Sequence, residues 1–198
     1  FKCLNMVREE ISLNMPYKVV HIPNVEADDI IGTLVEQTQE FGQHEDVMII
    51  SADKDFIQLQ KYGNVKQYSP MTKKFIKDEN PHSYLFEHVL KGDSSDGIPN
   101  VLSGDDTFVE SIRQSPMTKK KIQEYVDNAE NLQSYMSDEV YRNYKRNQLL
   151  VDLAYIPAEI KKSIIDTSEA VKVPHRMKIL NYLIKNRCKL LIECIEDF

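Results

Sequence analysis

The segment Val47-Met48-Ile49-Ile50-Ser51-Ala52-Asp53-Lys54-Asp55 places two aspartates directly after an unbroken run of apolar residues. The run at 47–51 predicts a β-strand that is buried on both of its faces. Upstream, the β-branched stretch 17–22 predicts another strand, and apolar residues with helical spacing over 24–41 predict a helix that Gly42 ends. A strand, a helix and a second strand in so short a segment indicate a right-handed βαβ unit with two parallel strands.

The residues after this unit continue a mixed pattern of strands and helices. A short helix is expected near 56–60, and alternating residues at 65–68 and 74–77 predict two strands near a sheet edge. Residues 81–90 have helical spacing. The α/β half of the chain is therefore expected to end between residues 80 and 92.

The remainder of the chain has only helical patterns after one loop. Residues 92–106 are rich in Gly, Ser and Asp, and the first predicted helix beyond them is 107–114. We therefore predict an α/β fold class, with a parallel-sheet domain over 1–91 and an all-helical domain over 92–198.

Composition excludes several classes of protein. Apolar residues make up 41% of the 198 residues, which is enough for a core, and no apolar run reaches the length of a membrane span. Three scattered cysteines cannot form a disulfide framework, so a reducing cytosol is the expected compartment. The chain starts at Phe1 without a signal segment, so we expect it to be an interior piece of a longer protein.

Charge is distributed unevenly along the chain. The net charge of −6 argues against a nucleic acid as partner when it is considered alone. However, residues 17–55 contain nine acids and two bases, whereas residues 61–77 contain five lysines and no acid. A local basic surface can attract phosphate even on an acidic protein.

The acidic residues form three clusters, each with a simple structural explanation. Glu26-Ala27-Asp28-Asp29 opens a predicted helix, where acids favour the helix dipole. Asp53 and Asp55 could cap the turn after the strand, and Gly92-Asp93-Ser94-Ser95-Asp96-Gly97 could be an Asx-rich surface loop. Taken singly, none of the clusters identifies a site.

The predicted topology brings two of these clusters together. The start of the helix and the carboxyl ends of both strands lie at one edge of the sheet, where α/β proteins bind ligands. The acids expected at this rim are Glu26, Asp28, Asp29, Asp53 and Asp55. These carboxylates repel one another unless a cation neutralises them. Because no His or Cys is clustered with them, the ligands are all oxygen atoms, which favour Mg²⁺ or Mn²⁺. Two such ions about 4 Å apart can activate water for attack on a phosphodiester.

Three motifs follow one another along the chain. They are Glu26-Ala27-Asp28-Asp29, Ser51-Ala52-Asp53-Lys54-Asp55-Phe56 and Lys91-Gly92-Asp93-Ser94-Ser95-Asp96-Gly97-Ile98-Pro99. Their order and spacing resemble the 5′-nuclease (flap endonuclease) family, and most strongly its branch of RNase H enzymes from T-even-type bacteriophages. The resemblance implies a PIN-like nuclease domain without its N-terminal part, and a helical DNA-binding domain with a helix-three-turn-helix-like loop at 92–106.

The resemblance implies an activity, cofactors and partners. The activity is metal-dependent 5′-to-3′ hydrolysis of phosphodiesters at the 5′ ends or flaps of RNA–DNA and DNA–DNA duplexes, which removes primers during replication. Two Mg²⁺ ions are implied, with Mn²⁺ as a substitute. The implied partners are these duplexes, a single-stranded-DNA-binding protein and the sliding clamp, with no membrane. The implied compartment is the cytoplasm, that of the infected bacterial host for a phage protein.

The resemblance also assigns roles to individual residues. The implied metal ligands are Glu26, Asp28, Asp53, Asp55, Asp93 and Asp96. Asp28 and Asp53 would bind the first metal with Glu26 nearby, and the other three would serve the second metal mostly through water. Asp28, Asp53 and Asp55 are the implied catalytic residues. Since further acids and a basic bridge of the family precede this segment, we expect the chain alone to be nearly inactive.

Basic residues outside these motifs are the expected phosphate contacts. They are Lys66, Lys73, Lys74, Lys119, Lys120, Arg142 and Lys145. For each lysine alone, a solvated charged surface is the simpler explanation. Phosphate contacts would make binding salt-dependent and independent of base sequence.

Two other classes of function stay open at this point. Asp53 and Asp55 could imitate the DxD motif of a haloacid-dehalogenase-like phosphatase, although that site needs a further acid pair at a strand end, and the helical half offers no such strand. The chain could also be a non-catalytic DNA-binding or replication-partner module.

Overall fold

The computed structural model describes residues 1–39 and 44–198. The α-helices in chain order are α1 Lys2–Asn14, α2 Ala27–Gln37, α3 Pro81–Lys91, α4 Lys119–Asp127, α5 Leu132–Tyr135, α6 Asp138–Val151, α7 Ala158–Ala170, α8 Met177–Lys185 and α9 Lys189–Glu193. The strands are β1 Val47–Ile50, β2 Val65–Ser69 and β3 Lys74–Ile76, and the longest 3₁₀-helix is Asp55–Lys61. The predicted strands at 47–51, 65–68 and 74–77 are confirmed. The predicted end of the second helix at Gly42 lies outside the described residues.

The three strands form one mixed sheet in the order β1-β2-β3. β1 pairs in parallel with β2, with Val47 opposite Val65, and the Asp55–Lys61 helix lies in the crossover between them. β2 pairs antiparallel with β3, with Gln67 opposite Ile76. The sheet therefore has one parallel pair, but it joins β1 to β2 and not to the predicted strand at 17–22.

The stretch 17–22 does not form the predicted strand. Its β-branched residues fit a pleated surface, but a strand also needs a neighbour that satisfies its backbone hydrogen bonds. Short-range turns bound the stretch instead: the Tyr17 amide donates to the Met15 carbonyl at 2.8 Å, and the Val25 amide donates to the Ile22 carbonyl at 3.3 Å. The predicted pairing of this stretch with β1 is therefore wrong.

The prediction that β1 is buried on both faces is also wrong for the described residues. Ile49 is 5% exposed, whereas its neighbours Met48 and Ile50 are 49% and 69% exposed. Successive side chains of a strand point to opposite faces, so the described elements cover one face of β1.

The predicted helix at 107–114 is absent, and turns occupy its place. The Thr107 hydroxyl donates to the Gly104 carbonyl at 2.7 Å, a local bond that competes with helical hydrogen bonding. The Gln114 side chain accepts from the Asn100 amide at 2.8 Å, and the Asn100 side chain donates to the Ser115 carbonyl at 2.8 Å. These bonds to the preceding loop hold the segment in a non-helical path.

The described residues group into two compact units, of which one is Glu26–Ala158. This unit contains the sheet and has two apolar cores. Beside the sheet lie Val35, Ile49, Phe56, Leu59 and Val65. Around α3 and α4 lie Leu90, Val101, Ile122, Tyr125, Leu132 and Met136. The residues discussed below as a metal centre all belong to this unit.

The other unit consists of Phe1–Val25 and Glu159–Phe198. Its most deeply buried residues are Ile164, Ile179 and Leu183. The division of the chain into domains 1–91 and 92–198 stays a prediction. Among the residues described, none of the helices has the length and apolar character needed to cross a membrane.

Candidate metal centre

The start of α2 carries the first group of predicted acids. Glu26 and Asp29 form a capping box, in which the Glu26 carboxylate accepts from the Asp29 amide and the Asp29 carboxylate accepts from the Glu26 amide at 3.4 Å. Asp28 occupies the second helical position, outside this pair. Helix capping therefore accounts for Glu26 and Asp29 and leaves the role of Asp28 unexplained.

The loop after β1 carries the second group. The Asp53 amide donates to the Ser51 hydroxyl, and the Asp55 amide donates to the Asp53 carboxylate, each at 3.1 Å. Beneath the loop lies Gln67 of β2, which is 1% exposed. Its side-chain amide donates to the Ser51 carbonyl at 3.1 Å and to the Asp53 carbonyl. Sequence reasoning missed Gln67, because an isolated glutamine in an alternating strand does not show which backbone groups it will meet.

A tight loop after α3 carries the third group. It begins at Gly92, whose φ is +65° and where a Cβ would lie 2.4 Å from the Ile98 carbonyl oxygen. The Ile98 amide donates to the Asp93 carbonyl at 2.7 Å, which closes the loop. The Asp93 carboxylate accepts from the Ser95 amide at 2.8 Å and also from the Ser95 hydroxyl. Glycine at 92 is thus required by the geometry that presents Asp93 and Asp96.

The electrostatics show that these three segments meet. Burial raises the pKa of Asp28, and the nearby carboxylates of Asp55 and Asp53 raise it further. Burial also raises the pKa of Asp96, and Asp93, Asp55 and Asp53 add to the effect. We call this group the acidic centre; its members are Asp28, Asp53, Asp55, Asp93 and Asp96. Glu26 acts on Asp28 as well, but its carboxylate also holds the helix cap.

His88, on the last turn of α3, contacts the acidic centre. Its Nε2 lies 3.0 Å from Oδ1 of Asp55 and 3.8 Å from Oδ2 of Asp93. The ring stacks on Tyr84, with centroids 5.9 Å apart. Burial works to raise the pKa of Asp93, but hydrogen bonds from Ser95 and the nearby His88 ring outweigh it, and the pKa is lowered. Sequence reasoning missed His88; the signal was its position five residues before Asp93, on the side of the helix that also carries Tyr84.

The donor set of the acidic centre fits divalent cations. Its carboxylates come from three segments, and the pKa values of Asp28 and Asp96 are raised, first by burial and then by neighbouring carboxylates. Oxygen-rich sites of this kind bind Mg²⁺ or Mn²⁺. Asp55, His88 and Asp93 also offer three potential ligand atoms within 4.8 Å of one another.

The predicted phosphate contacts are spread over several elements. Lys66 lies on β2, Lys73 in the following turn and Lys74 on β3, and all three are exposed. Lys119 and Lys120 are exposed in the first turn of α4. Their exposure leaves them accessible from solvent, and their role stays a prediction.

The two predicted contacts on α6 already have partners within the protein. The Arg142 guanidinium donates to the two carboxylate oxygens of Asp105 at 3.0 and 3.2 Å. Lys145 donates to Gln148 at 2.6 Å and lies over the ring of Tyr155. A phosphate would therefore have to compete with these groups.

Arg142, Arg146 and Asp105 form a unit that we call the Asp105 clamp. Arg146 donates to the Asp105 carboxylate, and to the Pro99 carbonyl at 3.0 Å. A hydrogen bond from Arg146 lowers the pKa of Asp105; burial opposes this effect, and Arg142 adds to the lowering. The clamp ties α6 to the loop 92–106.

Further basic residues line a cleft beside the acidic centre. This cleft is lined by His88, Tyr84 and Asp93 together with Lys54, Lys77 and Lys91. Lys91 pairs with Glu87 at 2.6 Å, one turn away on α3. Lys54 could have been proposed from the sequence, because it stands between two of the predicted ligands.

Two family models match the chain. Residues 81–198 match the model described as T4 RNase H, C terminal, and residues 3–87 match the model described as 5′-3′ exonuclease, N-terminal resolvase-like domain. These matches confirm the predicted fold class, an exonuclease-type α/β domain followed by a helical domain. They also go against the phosphatase alternative.

Several relatives are similar to this chain in sequence. Ribonuclease H of Enterobacteria phage T4 is 34% identical over 203 residues, which cover 100% of this chain and 66% of the relative. The 5′-3′ exonuclease of Buchnera aphidicola subsp. Schizaphis graminum (strain Sg) is 37% identical over 102 residues, 48% of this chain and 33% of the relative. DNA polymerase I of Streptococcus pneumoniae (strain ATCC BAA-255 / R6) is 34% identical over 46% of this chain and 12% of the relative. The chain thus spans less than two thirds of each of these proteins.

Solved structures resemble the chain more distantly. A T5 protein co-crystallised with metal ions is 20% identical, with a TM-score of 0.46 over 75% of this chain and 62% of that chain. A lysine-to-alanine mutant of the T5 5′-exonuclease is also 20% identical, with a TM-score of 0.43 over 74% of this chain and 68% of that chain. Because a family model covers 81–198 and the T4 enzyme matches the full length of the chain, this protein belongs to the 5′-3′ exonuclease family, in the group of T4 RNase H.

Proposed function

We propose that the protein containing these residues is a metal-dependent 5′-to-3′ nuclease. The observation that carries the proposal is the convergence of carboxylates from three separate segments beside a cleft with lysines. Burial and then neighbouring carboxylates raise the pKa values of Asp28 and Asp96, and a bound cation would stabilise their charged forms. The relationship to T4 ribonuclease H and to 5′-3′ exonucleases supports a phosphodiester as the substrate.

The roles proposed for the acids are those that the resemblance to the 5′-nuclease family implies. Asp28 and Asp53 would hold one Mg²⁺, with Glu26 nearby, and Asp55, Asp93 and Asp96 would serve a second ion mostly through water. Bound there, Mg²⁺ supplies positive charge that neutralises the attacked phosphate and lowers the pKa of water, and Mn²⁺ substitutes for it. The buried amide of Gln67 fixes the loop that carries Asp53, so this carboxylate stays in place as substrate binds.

The substrate class is a duplex with a 5′ end or flap, either RNA–DNA or DNA–DNA. The supporting feature is the set of exposed lysines on β2, on β3 and at the start of α4, whose charge suits a phosphate backbone. The proposed biological role is the removal of primers during replication. The proposed compartment is the cytoplasm of an infected bacterial host. A single-stranded-DNA-binding protein and a sliding clamp are the proposed protein partners.

Cleavage of a labelled 5′-flap duplex in Mg²⁺ tests the function. Residues 1–198 should be nearly inactive, and the same residues extended upstream should cleave. In the extended form, Asp28→Asn should lower the cleavage rate at least about a hundredfold, which corresponds to roughly 2.7 kcal/mol in the activation free energy. The exposed Glu169→Gln variant is the charge-matched control and should cleave like the unmodified protein.

Two results would contradict this account. Cleavage by residues 1–198 within about tenfold of the extended form would show that upstream acids are dispensable. Salt-sensitive duplex binding without cleavage by the extended form would favour the non-catalytic DNA-binding alternative.

A further inference from the structure

His88 differs from every residue predicted for the metal centre because it offers nitrogen. Its side chain is 15% exposed and lies between two carboxylates of the acidic centre, 3.0 Å from Asp55 and 3.8 Å from Asp93. Each of the three side chains offers one potential ligand atom, and these atoms lie within 4.8 Å of one another.

The spacing of these atoms suits a common cation. Ligands about 2.1 Å from a Zn²⁺ ion in tetrahedral geometry lie roughly 3.4 Å apart. The two distances from Nε2, 3.0 and 3.8 Å, lie on either side of that value. Small movements of the side chains from these separations would therefore bring all three atoms to bonding distance from one ion.

The three side chains are also held in place before any ion binds. Tyr84 stacks against the His88 ring with an interplanar angle of 27°. Ser95 donates two hydrogen bonds to the Asp93 carboxylate, and Gly92 sets the loop that carries it. Asp55 begins the 3₁₀-helix that packs on α3. A preorganised set of ligands binds a cation with little further loss of entropy.

We propose that His88 is a direct nitrogen ligand of the second metal position, together with Asp55 and Asp93. This proposal rests on the metal centre of the proposed function and specifies which cations it accepts. One imidazole and two carboxylates favour a borderline cation such as Zn²⁺ over Mg²⁺, which prefers oxygen alone. Nε2 binds the ion through its lone pair, so the ring proton resides on Nδ1.

A positioning role is the competing explanation, in which His88 only donates a hydrogen bond to Asp55. His88→Gln separates the two, because the glutamine amide can still donate to Asp55 but is a poor nitrogen ligand. His82→Gln, an exposed histidine on the same helix, is the matched control. Melting curves of both variants establish that they fold.

The measurement is the pulsed electron-paramagnetic-resonance spectrum of the Mn²⁺-loaded chain, combined with a Zn²⁺ titration against a chromogenic chelator. The unmodified chain and His82→Gln should show ¹⁴N coupling from a bound imidazole, and His88→Gln should lose it. Zn²⁺ affinity should fall roughly tenfold or more in His88→Gln, while Mg²⁺ affinity changes much less.

Two results would overturn direct ligation by His88. One is a loss of Zn²⁺ affinity in His88→Gln while the unmodified chain shows no ¹⁴N coupling; the other is ¹⁴N coupling that persists in His88→Gln. These readouts do not depend on cleavage. Failure of the extended protein to cut flap substrates would contradict the proposed function without affecting this test.

Discussion

The acidic centre and the Asp105 clamp use carboxylates in opposite ways. In the acidic centre, burial and neighbouring carboxylates raise the pKa values of Asp28 and Asp96. In the clamp, hydrogen bonds from Arg146 and Arg142 lower the pKa of Asp105. The Asp105 carboxylate is thus paired within the protein, whereas the acidic centre is the proposed cation site. This contrast distinguishes a site from a structural ion pair more clearly than the number of acids does.

The largest expected effect comes from breaking the loop of the acidic centre at Gly92. Gly92→Ala puts a Cβ 2.4 Å from a backbone oxygen at a φ of +65°, so the strain should lower the free energy of unfolding by at least about 1–3 kcal/mol. Gly97→Ala is the control, since its φ is +76° but no atom lies within 4 Å of the added Cβ. Thermal unfolding of both variants measures the difference, and equal losses would show that the contact with Ile98 is unimportant.

The second prediction compares the pH dependence of the two regions without metal. A carboxyl group whose pKa is raised in the folded state stabilises the fold below the pKa of the unfolded chain, 3.8, and this stabilisation is lost as pH rises. Asp28→Asn should therefore raise the melting temperature at neutral pH. That gain should fade as pH falls towards 3.8. A carboxyl group whose pKa is lowered in the folded state stabilises the fold above the pKa of the unfolded chain. Asp105→Asn should therefore lower the melting temperature at neutral pH, and the difference from the unmodified chain should fade only below pH 3.8.

Both shifts should be small. The Arg142 and Asp105 side chains are 60% and 56% exposed, so solvent screening limits the effect of the clamp to about 1 kcal/mol or less, roughly 2–4 °C. Melting curves in a chelating buffer over a range of pH are the measurement. Shifts of the same sign in the two variants would remove the contrast between the regions.

The smallest expected effect concerns duplex binding by the clamp. Asp105→Asn removes one negative charge and leaves Arg142 and Arg146 without their carboxylate partner, so affinity for a DNA duplex should rise a few-fold. The plot of log affinity against log salt should steepen by about one unit for each new phosphate contact. Fluorescence anisotropy over a salt series measures both quantities. An unchanged slope would indicate that the arginines serve the fold alone.

The sequence was sufficient to predict that the acids gather, although part of the reasoning was wrong. The predicted rim relied on a strand at 17–22, which the structure does not contain. The acids still meet, because Asp53 follows the carboxyl end of β1 and α2 starts close to it. Local patterns identify a strand end and a helix start well, whereas the pairing partner of a strand depends on the rest of the molecule.

The groups that sequence reasoning missed are those defined by distant contacts. His88 lies 33 residues from Asp55, and Gln67 lies 14 residues from the carbonyl of Asp53 that it holds. Arg142 was predicted as a phosphate contact, but its pairing with Asp105, 37 residues away, was not predicted. Nothing in the local pattern around these residues shows which groups they will meet, since that depends on how the elements pack. The exposed lysines could be listed from the sequence because their exposure does not depend on a distant contact. Their role, however, depends on a ligand.

The most direct test of the acidic centre is Mn²⁺ binding by the Asp53→Asn variant. Asparagine keeps the oxygen that accepts from the Asp55 amide, so the turn is preserved and one charge is removed. We predict that Mn²⁺ affinity falls at least about tenfold. The metal-free melting temperature should be unchanged or higher, because repulsion is relieved. The exposed Glu169→Gln variant should match the unmodified chain in both measurements. Unchanged Mn²⁺ affinity, or a metal-free melting temperature lower by many degrees, would show that Asp53 is a structural cap and would contradict the account.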